Sequence, residues 1–331
     1  MSELIQLFEQ LKLPDDIANG DVAFSAVRIP MAGDRHVAKD RQGCPVVLFG
    51  TLPHAQRLLL NYALENLRIE HDLQCRIVDP SSRETLGRFT IFRCLSSDRG
   101  VQDYFLRIMQ ILLETVPAEA SSEDLSQAIE RLIALFRAIR LPSTKSVQGL
   151  WAELFLAVHA RDPNTMLRAW HSDAAETSDF SSGAERLEVK SSGDRTRRHY
   201  FALEQLHAPS GTVQVVASLF VEPAAGGATV AELWNRARAA AHGEPDLLLK
   251  IEQTCLSALG DAWQDAQFRA YDSQRAAESL AFFDAKDIPK VSAELPRGVT
   301  DVRFRSDLSL ARPIDTTAYR GAALLFDACF H

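Results

Sequence analysis

Three acidic residues and one lysine stand at spacings that could hold a metal ion beside a reacting phosphate. Glu153 lies in an apolar segment, Asp179 follows a polar loop, and Glu188 and Lys190 are separated by one residue. Side chains alternate between the faces of a strand, so a strand over residues 187–190 would direct Glu188 and Lys190 to one face. Asp179 and Glu188 are then candidate ligands of Mg2+ or Mn2+, which prefer oxygen atoms. A metal held in this way can activate water and offset the charge of a phosphodiester, so the pattern favours hydrolysis of that bond.

Lys190 and Glu153 would complete this set. Lys190 places a mobile point charge beside the predicted metal, where it would orient the attacking water or neutralise the scissile phosphate. Glu153 is the one carboxylate of a predicted helix whose apolar residues cover most of its circumference. A buried carboxylate has to be paired, hydrogen-bonded or bound to metal. The helix pattern leaves two roles open for Glu153: a metal ligand, or holder of a metal-bound water, and the partner of an arginine.

A basic cluster follows the predicted strand and is a candidate DNA contact, because phosphates are bound by basic surfaces. Its side chains are Arg186, Lys190, Arg195, Arg197, Arg198 and His199. The net charge of -8 opposes nucleic-acid binding, and the cluster could equally be a solvated hairpin tip. Further along, Gln205 could contact DNA or a metal-bound water, or it could only cap a strand.

Length and composition are those of an ordinary globular protein. The chain has 331 residues, 46% of them hydrophobic and 24% charged, and its length predicts two or three compact units. No run is long and apolar enough to span a bilayer, and the first residues lack a signal-peptide pattern, so we expect a cytoplasmic protein with no membrane partner. The five cysteines are scattered without zinc-site spacing and are expected to be buried thiols.

The order of predicted elements divides the chain into four segments. Residues 1–100 are expected to form a β-rich or α+β module, and residues 101–145 a helical linker. Residues 146–265 would form the core that carries the acidic residues, and residues 266–331 would pack on that core. The core alternates helices and strands, which predicts a mixed sheet flanked by helices.

Apolar periodicity and turn residues predict the elements within these segments. Helices are expected over residues 55–66, 101–116, 122–140, 147–160, 230–241 and 246–259. Strands are expected over residues 22–29, 46–51, 74–78, 88–94, 166–170, 187–190, 199–206, 212–221 and 299–304. Gly226 and Gly227 predict a break, and Ser143 or Thr144 predicts the N-cap of the helix that carries Glu153.

Several motifs in combination resemble a known family. They are Gly149–Leu154, Trp170, Asp179-Phe180, Leu187–Ser191 and Leu203–Leu206. With them the chain looks like the PD-(D/E)XK motif proteins associated with bacterial anti-phage defence and restriction islands. One departure from the motif is the residue before Asp179, which is Ser178 where the motif has proline. The loss of this proline changes the turn more than the chemistry.

The resemblance implies a fold and an activity. The implied fold is α/β (α+β), with a restriction-endonuclease-like core, an N-terminal β-rich module and a C-terminal extension. The implied activity is Mg2+-dependent or Mn2+-dependent DNA cleavage. It would use Asp179, Glu188 and Lys190 as the catalytic set and Glu153 as the helix-borne acid.

Two functions follow as hypotheses. The first is a metal-dependent DNA endonuclease of a defence system that acts with an ATPase or helicase partner, and as a homodimer where both strands are cut. The second is a catalytically silent nuclease-like fold that binds DNA or partner proteins. The complete set of Asp179, Glu188 and Lys190 favours the first, and the acidic net charge favours the second. A small-molecule enzyme is disfavoured because the chain has no Gly-rich phosphate loop and no Gly-x-Ser-x-Gly motif.

Overall fold

The computed structural model describes residues 3–14, 23–50, 60–118, 120–171, 177–292, 295–319 and 324–330. The chain divides into two compact units, Met1–Arg137 and Ala138–His331. Both units combine helices with mixed sheets, so the predicted α+β class is confirmed. The four-segment division at residues 100, 145 and 265 stays a prediction.

The first unit is built on one sheet of six strands. Its elements are α1 (Glu3–Glu9), β1 (Ala23–Arg28), β2 (Arg35–Lys39), β3 (Pro45–Gly50), β4 (Tyr62–Ala63), β5 (Leu67–Val78), β6 (Glu84–Cys94), α2 (Arg99–Thr115) and α3 (Ser122–Ala138). The strand order is β1-β2-β3-β6-β5-β4, and β1 also pairs in parallel with β5. Five strands therefore close into a ring. Its apolar core is formed by Phe24, Ala26, Ala38, Val46, Leu48, Cys75, Ile77, Phe89 and Ile91.

Two predictions for this unit fail. The strand β2 was not predicted because its sequence begins Arg35-His36, yet both side chains are buried and Arg35 donates to the carbonyl oxygen of Val116 at 2.8 Å. The predicted helix over residues 55–66 is wrong at β4, which pairs with β5 through Tyr62 and Ile69. Its first part lies outside the described residues. A short hairpin, closed by the hydrogen bond from the Leu64 N–H to the carbonyl of Leu67 at 2.8 Å, outweighs the local helical preference there.

The second unit contains a four-stranded mixed sheet and two strand pairs. Its helices are α4 (Val147–Val158), α5 (Pro163–Ala169), α6 (Val230–Ala240), α7 (Pro245–Leu259), α8 (Trp263–Ala266), α9 (Ser273–Ser279) and α10 (Leu324–Cys329). Its strands are β7 (Phe180–Ser182), β8 (Glu185–Ser192), β9 (Arg198–Ala202), β10 (Val213–Phe220), β11 (Pro223–Thr229), β12 (Ala270–Tyr271), β13 (Ala281–Asp284) and β14 (Arg303–Asp307). The sheet order is β7-β8-β10-β13, with β8 and β10 parallel and the outer pairs antiparallel. The pairs are β11 with β12 and β9 with β14.

Helix α4 is the central element of this unit. It packs against β8 and against α6 and α7, and eight of its residues are buried, Glu153 among them. Its N-cap is Ser146, whose hydroxyl accepts from the backbone N–H of Gly149 at 3.0 Å, so the predicted cap at Ser143 or Thr144 is wrong. The indole of Trp151 donates to the carbonyl of Ala228 at 2.8 Å. These contacts fix the rotation of α4 and with it the direction of Glu153.

Two further predictions are corrected in the second unit. The segment predicted as a strand over residues 166–170 is helix α5, because Asp162 caps it by accepting from the Thr165 N–H and Pro163 is suited to its first position. Gly226 and Gly227 do not break the chain but lie within β11, next to a register shift against β12. All five cysteines are buried free thiols, as predicted. Within the described residues, no helix has the length and apolar character needed to cross a membrane.

Candidate active site

Strand β8 presents Glu188 and Lys190 on the same side. Leu187 is buried in the core of the unit, whereas Glu188 Oε1 lies 2.7 Å from Lys190 Nζ. The backbone N–H of Val189, between them, donates to Asp179 Oδ2 at 2.9 Å. Asp179 is thus tied to the strand at the residue between the predicted catalytic pair. The alternation predicted for residues 187–190 is confirmed by this geometry.

Glu153 reaches the same place from helix α4. Its side chain is 4% exposed, and its Oε2 accepts from the indole Nε1 of Trp170 at 2.8 Å. Its Oε1 lies 2.6 Å from Lys145 Nζ. The protein partners of Glu153 are therefore Trp170 and Lys145 rather than an arginine.

Lys145 joins two of the acidic residues. Its Nζ lies 2.6 Å from Glu153 Oε1 and 2.8 Å from Asp179 Oδ1, so one ammonium group bridges α4 and the segment before β7. Its backbone N–H and that of Thr144 both donate to the carbonyl of Ala258 near the end of α7, at 3.3 and 3.2 Å. The base of the side chain is thereby anchored. Sequence reasoning missed Lys145; its one signal is a basic residue just before the cap of the helix that carries a buried glutamate.

Gln205 connects the two residues on β8. Its Nε2 donates to Glu188 Oε1 at 2.6 Å, and its Oε1 accepts from Lys190 Nζ at 3.0 Å and from the Ala202 N–H at 3.1 Å. It thus has the capping role and also holds Glu188 and Lys190 in one orientation. The other oxygen of the glutamate, Glu188 Oε2, is buried and has no hydrogen-bond partner among the described residues.

The electrostatics of the site reflect buried negative charge. Burial, and next the charge of Asp179, raise the pKa of Glu153, although Lys145 and Trp170 act against this. Burial and then Asp179 likewise raise the pKa of Glu188, against the effect of Lys190. Burial lowers the pKa of Lys145, but the negative charges of Asp179 and Glu153 together raise it by more than burial lowers it. The pKa of Lys145 is therefore raised. The charge of Asp179 therefore disfavours ionisation of both Glu153 and Glu188, and the Lys145 cation near these carboxylates is stabilised.

The carboxylate oxygens of the site are chemically suited to a divalent metal ion, but most of them already have protein partners. All candidate ligands are carboxylate oxygens, the type that Mg2+ and Mn2+ bind, and Glu188 Oε2 is a buried acceptor with no donor. Against this, Lys145 occupies Asp179 Oδ1, and both oxygens of Glu153 have donors. Within the part of the chain that the structure describes, no three acidic, histidine or cysteine side chains are already grouped to hold a metal. A metal ion ligated by Asp179 Oδ1 would have to displace the ammonium group of Lys145.

The predicted DNA-contact cluster is divided by the fold. Arg195 forms two hydrogen bonds with Glu222, at 2.6 and 2.8 Å. Arg197 donates to the carbonyl and the hydroxyl of Ser218, at 2.7 and 2.9 Å. His199 is buried with Nε2 2.9 Å from the same hydroxyl, whereas Arg198 is exposed. Arg195, Arg197 and His199 thus have partners within the protein, and a DNA contact by any of the four stays a prediction.

The chain carrying this acidic site matches a family of proteins. The fold is α+β and nuclease-like, with a helix-borne glutamate beside a strand-borne Glu-x-Lys. The model of the family described as "Putative PD-(D/E)XK family member, (DUF4420)" matches residues 4–309, and the chain belongs to this family. The match extends over both units, and the resemblance stated from the motifs is confirmed at this level. No curated protein and no solved structure matches the chain.

Proposed function

We propose that this protein is a metal-dependent DNA endonuclease of the PD-(D/E)XK type. The observation that carries the proposal is the buried Glu188 Oε2, which has no partner among the described residues and lies close to Asp179 and Lys190. A buried acceptor without a donor is costly in a folded protein. A divalent cation bound by Glu188 and Asp179 would remove that cost. Family membership supports the same reaction class.

Each residue has a role in this proposal. Asp179 and Glu188 would hold Mg2+ or Mn2+, with Glu153 as a further ligand or as the acceptor of a metal-bound water. When bound, the metal supplies an acidic water and a counter-charge for the phosphate oxygens. Lys190, held by Gln205, would donate a hydrogen bond from its ammonium group to the scissile phosphate or the attacking water. Lys145 keeps Asp179 and Glu153 together before the metal binds.

The test measures metal binding and cleavage separately. Mn2+ is titrated calorimetrically into the wild-type protein and the Asp179→Ala variant, and each is incubated with plasmid DNA and Mg2+. We expect binding by the wild type, its loss in Asp179→Ala, and nicking or linearisation by the wild type alone. Glu188→Ala and Lys190→Ala should also lose cleavage while keeping their thermal unfolding transition.

The control is Glu204→Gln, which removes one exposed carboxylate near the site but outside the set. It should bind Mn2+ and cut DNA as the wild type does. Unchanged cleavage by Glu188→Ala or Lys190→Ala would reject this site.

A second candidate function is a nuclease-like fold that binds DNA or partner proteins without cutting. One observation favours it: Lys145 supplies the acidic cluster with a cation of its own, bridging Glu153 and Asp179. Absence of Mn2+ binding by the wild-type protein, with DNA present, would select this candidate.

The biological setting is also a proposal. A place in an anti-phage defence or restriction system agrees with the motif resemblance. A partner such as an ATPase or helicase would supply DNA affinity that a net charge of -8 does not. A homodimer would bring two sites to opposite DNA strands. Sedimentation with and without DNA tests the dimer.

A further inference from the structure

Strands β9 and β14 form a two-stranded ribbon with unlike faces. They pair antiparallel, with Tyr200 opposite Arg305 and His199 opposite Ser306. On one face His199, Phe201 and Ser306 are buried. On the other face, called here the outer face, four side chains are exposed: Arg198, Tyr200, Arg303 and Arg305. The ribbon therefore presents three arginines and one tyrosine to solvent.

The charge of the outer face is not cancelled by ion pairs. Among the described residues, Arg198, Arg303 and Arg305 have no carboxylate within salt-bridge distance. Asp307 stands opposite Arg198 in the register, and it and Asp194 interact with the Arg198 charge from beyond ion-pair distance. The Oδ1 of Asp307 accepts from the N–H and the hydroxyl of Ser309, at 3.0 and 2.6 Å, so Arg303 and Arg305 are left as the unopposed charges of this face. This contrasts with the exposed Arg195, which Glu222 neutralises. The outer face is thus a positive area on a chain whose net charge is negative.

Tyr200 keeps one of these arginines in place without neutralising it. Its side chain is 68% exposed, and the guanidinium carbon of Arg305 lies 5.6 Å from the centre of its ring. A cation above an aromatic face is attracted to it but retains its full charge and most of its donors. Arginine and tyrosine are also enriched where proteins meet their partners. The pair is therefore suited to an anionic partner that accepts several hydrogen bonds.

The ribbon is connected directly to the acidic site. Ala202, the last residue of β9, donates its backbone N–H to Gln205, which in turn donates to Glu188. On the buried face, the ring centre of Phe201 lies 5.0 Å from Lys190 Nζ. A ligand bound on the ribbon would thus be held at a fixed position relative to Glu188 and Lys190.

We propose that the outer face of the β9–β14 ribbon binds the phosphate backbone of duplex DNA that flanks the cleavage site. This inference rests on the proposed function, because DNA is its substrate. The arginines at alternate positions of β14 lie about 7 Å apart along the strand, so they can contact different phosphates.

The test is fluorescence anisotropy of a labelled DNA duplex with the full chain in EDTA, so that binding is measured without cleavage. The variants Arg303→Ala/Arg305→Ala and Tyr200→Ala are compared with the wild type over a range of salt concentrations. We expect the double variant to bind about tenfold or more weakly at low salt, and the slope of log affinity against log salt to fall by about two. Tyr200→Phe should bind as the wild type does, and Tyr200→Ala more weakly.

Two matched variants make the result specific. Arg68→Ala/Arg83→Ala removes two exposed arginines of the first unit that have no ion pair among the described residues, and it should leave affinity unchanged. Arg303→Lys/Arg305→Lys keeps the charge, so the salt dependence of binding should stay as in the wild type, but affinity should fall in part because lysine lacks the planar fork of arginine and does not stack on Tyr200 in the same way. Thermal unfolding of each variant shows that it is folded.

The outcomes separate this inference from the proposed function. Equal weakening by the first-unit pair, or wild-type affinity in Arg303→Ala/Arg305→Ala, overturns the ribbon as the DNA contact. No duplex binding by the wild type, or a preference for single-stranded DNA, also overturns it. Binding that depends on the ribbon, together with no cleavage in Mg2+, supports the ribbon and rejects the endonuclease.

Discussion

The Nζ of Lys145 lies 2.8 Å from Asp179 Oδ1, at an atom that a metal-dependent mechanism would need as a ligand. The same ammonium group lies 2.6 Å from Glu153 Oε1. A lysine and a divalent cation cannot occupy one position between these oxygens. The ammonium group of Lys145 would therefore compete with the proposed metal ion for these oxygens.

Replacing Lys145 with methionine should strengthen metal binding. The substitution keeps much of the length of the side chain but removes the cation that competes for Asp179 and Glu153. We expect Mn2+ to bind about tenfold more tightly to Lys145→Met, a gain of about 1.4 kcal/mol, as measured by calorimetry. Lys286→Met, which removes an exposed lysine of the same unit, should leave Mn2+ affinity unchanged. Weaker or equal binding by Lys145→Met would show that Lys145 does not compete with the metal.

The hydrogen bond from Trp170 to Glu153 should be measurable as stability. Trp170→Phe leaves a buried carboxylate oxygen without its donor, so we expect a loss of about 1–3 kcal/mol beyond the cost of packing. Trp234→Phe is a matched control, because the buried indole N–H of Trp234 has no acceptor among the described residues. Urea unfolding of both variants in EDTA gives the difference. Equal losses would mean that the bond to Glu153 contributes nothing.

Gly260 packs against residues 141–143, just before Lys145, and should not tolerate a side chain. Gly260 has a φ of +54°, and a Cβ there would lie 2.2 Å from the carbonyl oxygen of Leu141. Gly260→Ala should cost more than about 2 kcal/mol, since it combines left-handed strain with a backbone clash. Gly243→Ala has a φ of +82° and open space, so it isolates the strain alone. Thermal unfolding measures the loss of stability in both variants. Equal losses would contradict a backbone clash at residue 260.

Acid should destabilise the protein through His199. Burial lowers the pKa of this histidine to about 4 from 6.5, so between these values the unfolded chain binds a proton that the folded chain excludes. Stability should therefore decrease as pH falls from 6.5 to 4, by a contribution on the order of 3 kcal/mol. Urea unfolding over this pH range, compared between wild type and His199→Gln, measures it. The same pH dependence in both proteins would assign the effect to other groups.

Much of the local structure could be predicted from periodicity. The alternation at Leu187–Lys190 predicted that Glu188 and Lys190 share a side, and the apolar helix predicted that Glu153 is buried; both are confirmed. Strand β2 was missed because Arg35 and His36 are polar residues that only tertiary contacts can bury. Helix α5 was missed because Asp162 and Pro163 also suit a turn.

The contacts within the site could not be predicted in the same way. Lys145 meets Asp179 across 34 residues of chain, and Trp170 meets Glu153 across 17. No local pattern encodes which side chains are brought together over such separations. The basic cluster shows the same limit, since Arg195 and Arg198 are close in sequence, yet one is paired with Glu222 and the other is exposed on the ribbon.

The closed ring of strands in the first unit has a kinetic consequence. Ala23 of β1 pairs with Arg76 of β5, so the last seam of the ring joins residues that are far apart in the chain. Closing such a loop carries an entropic cost that adjacent hairpins avoid. We therefore expect the hairpins β2–β3 and β5–β6 to form before the β1–β5 seam, and the amides of that seam to gain protection from solvent exchange last during refolding.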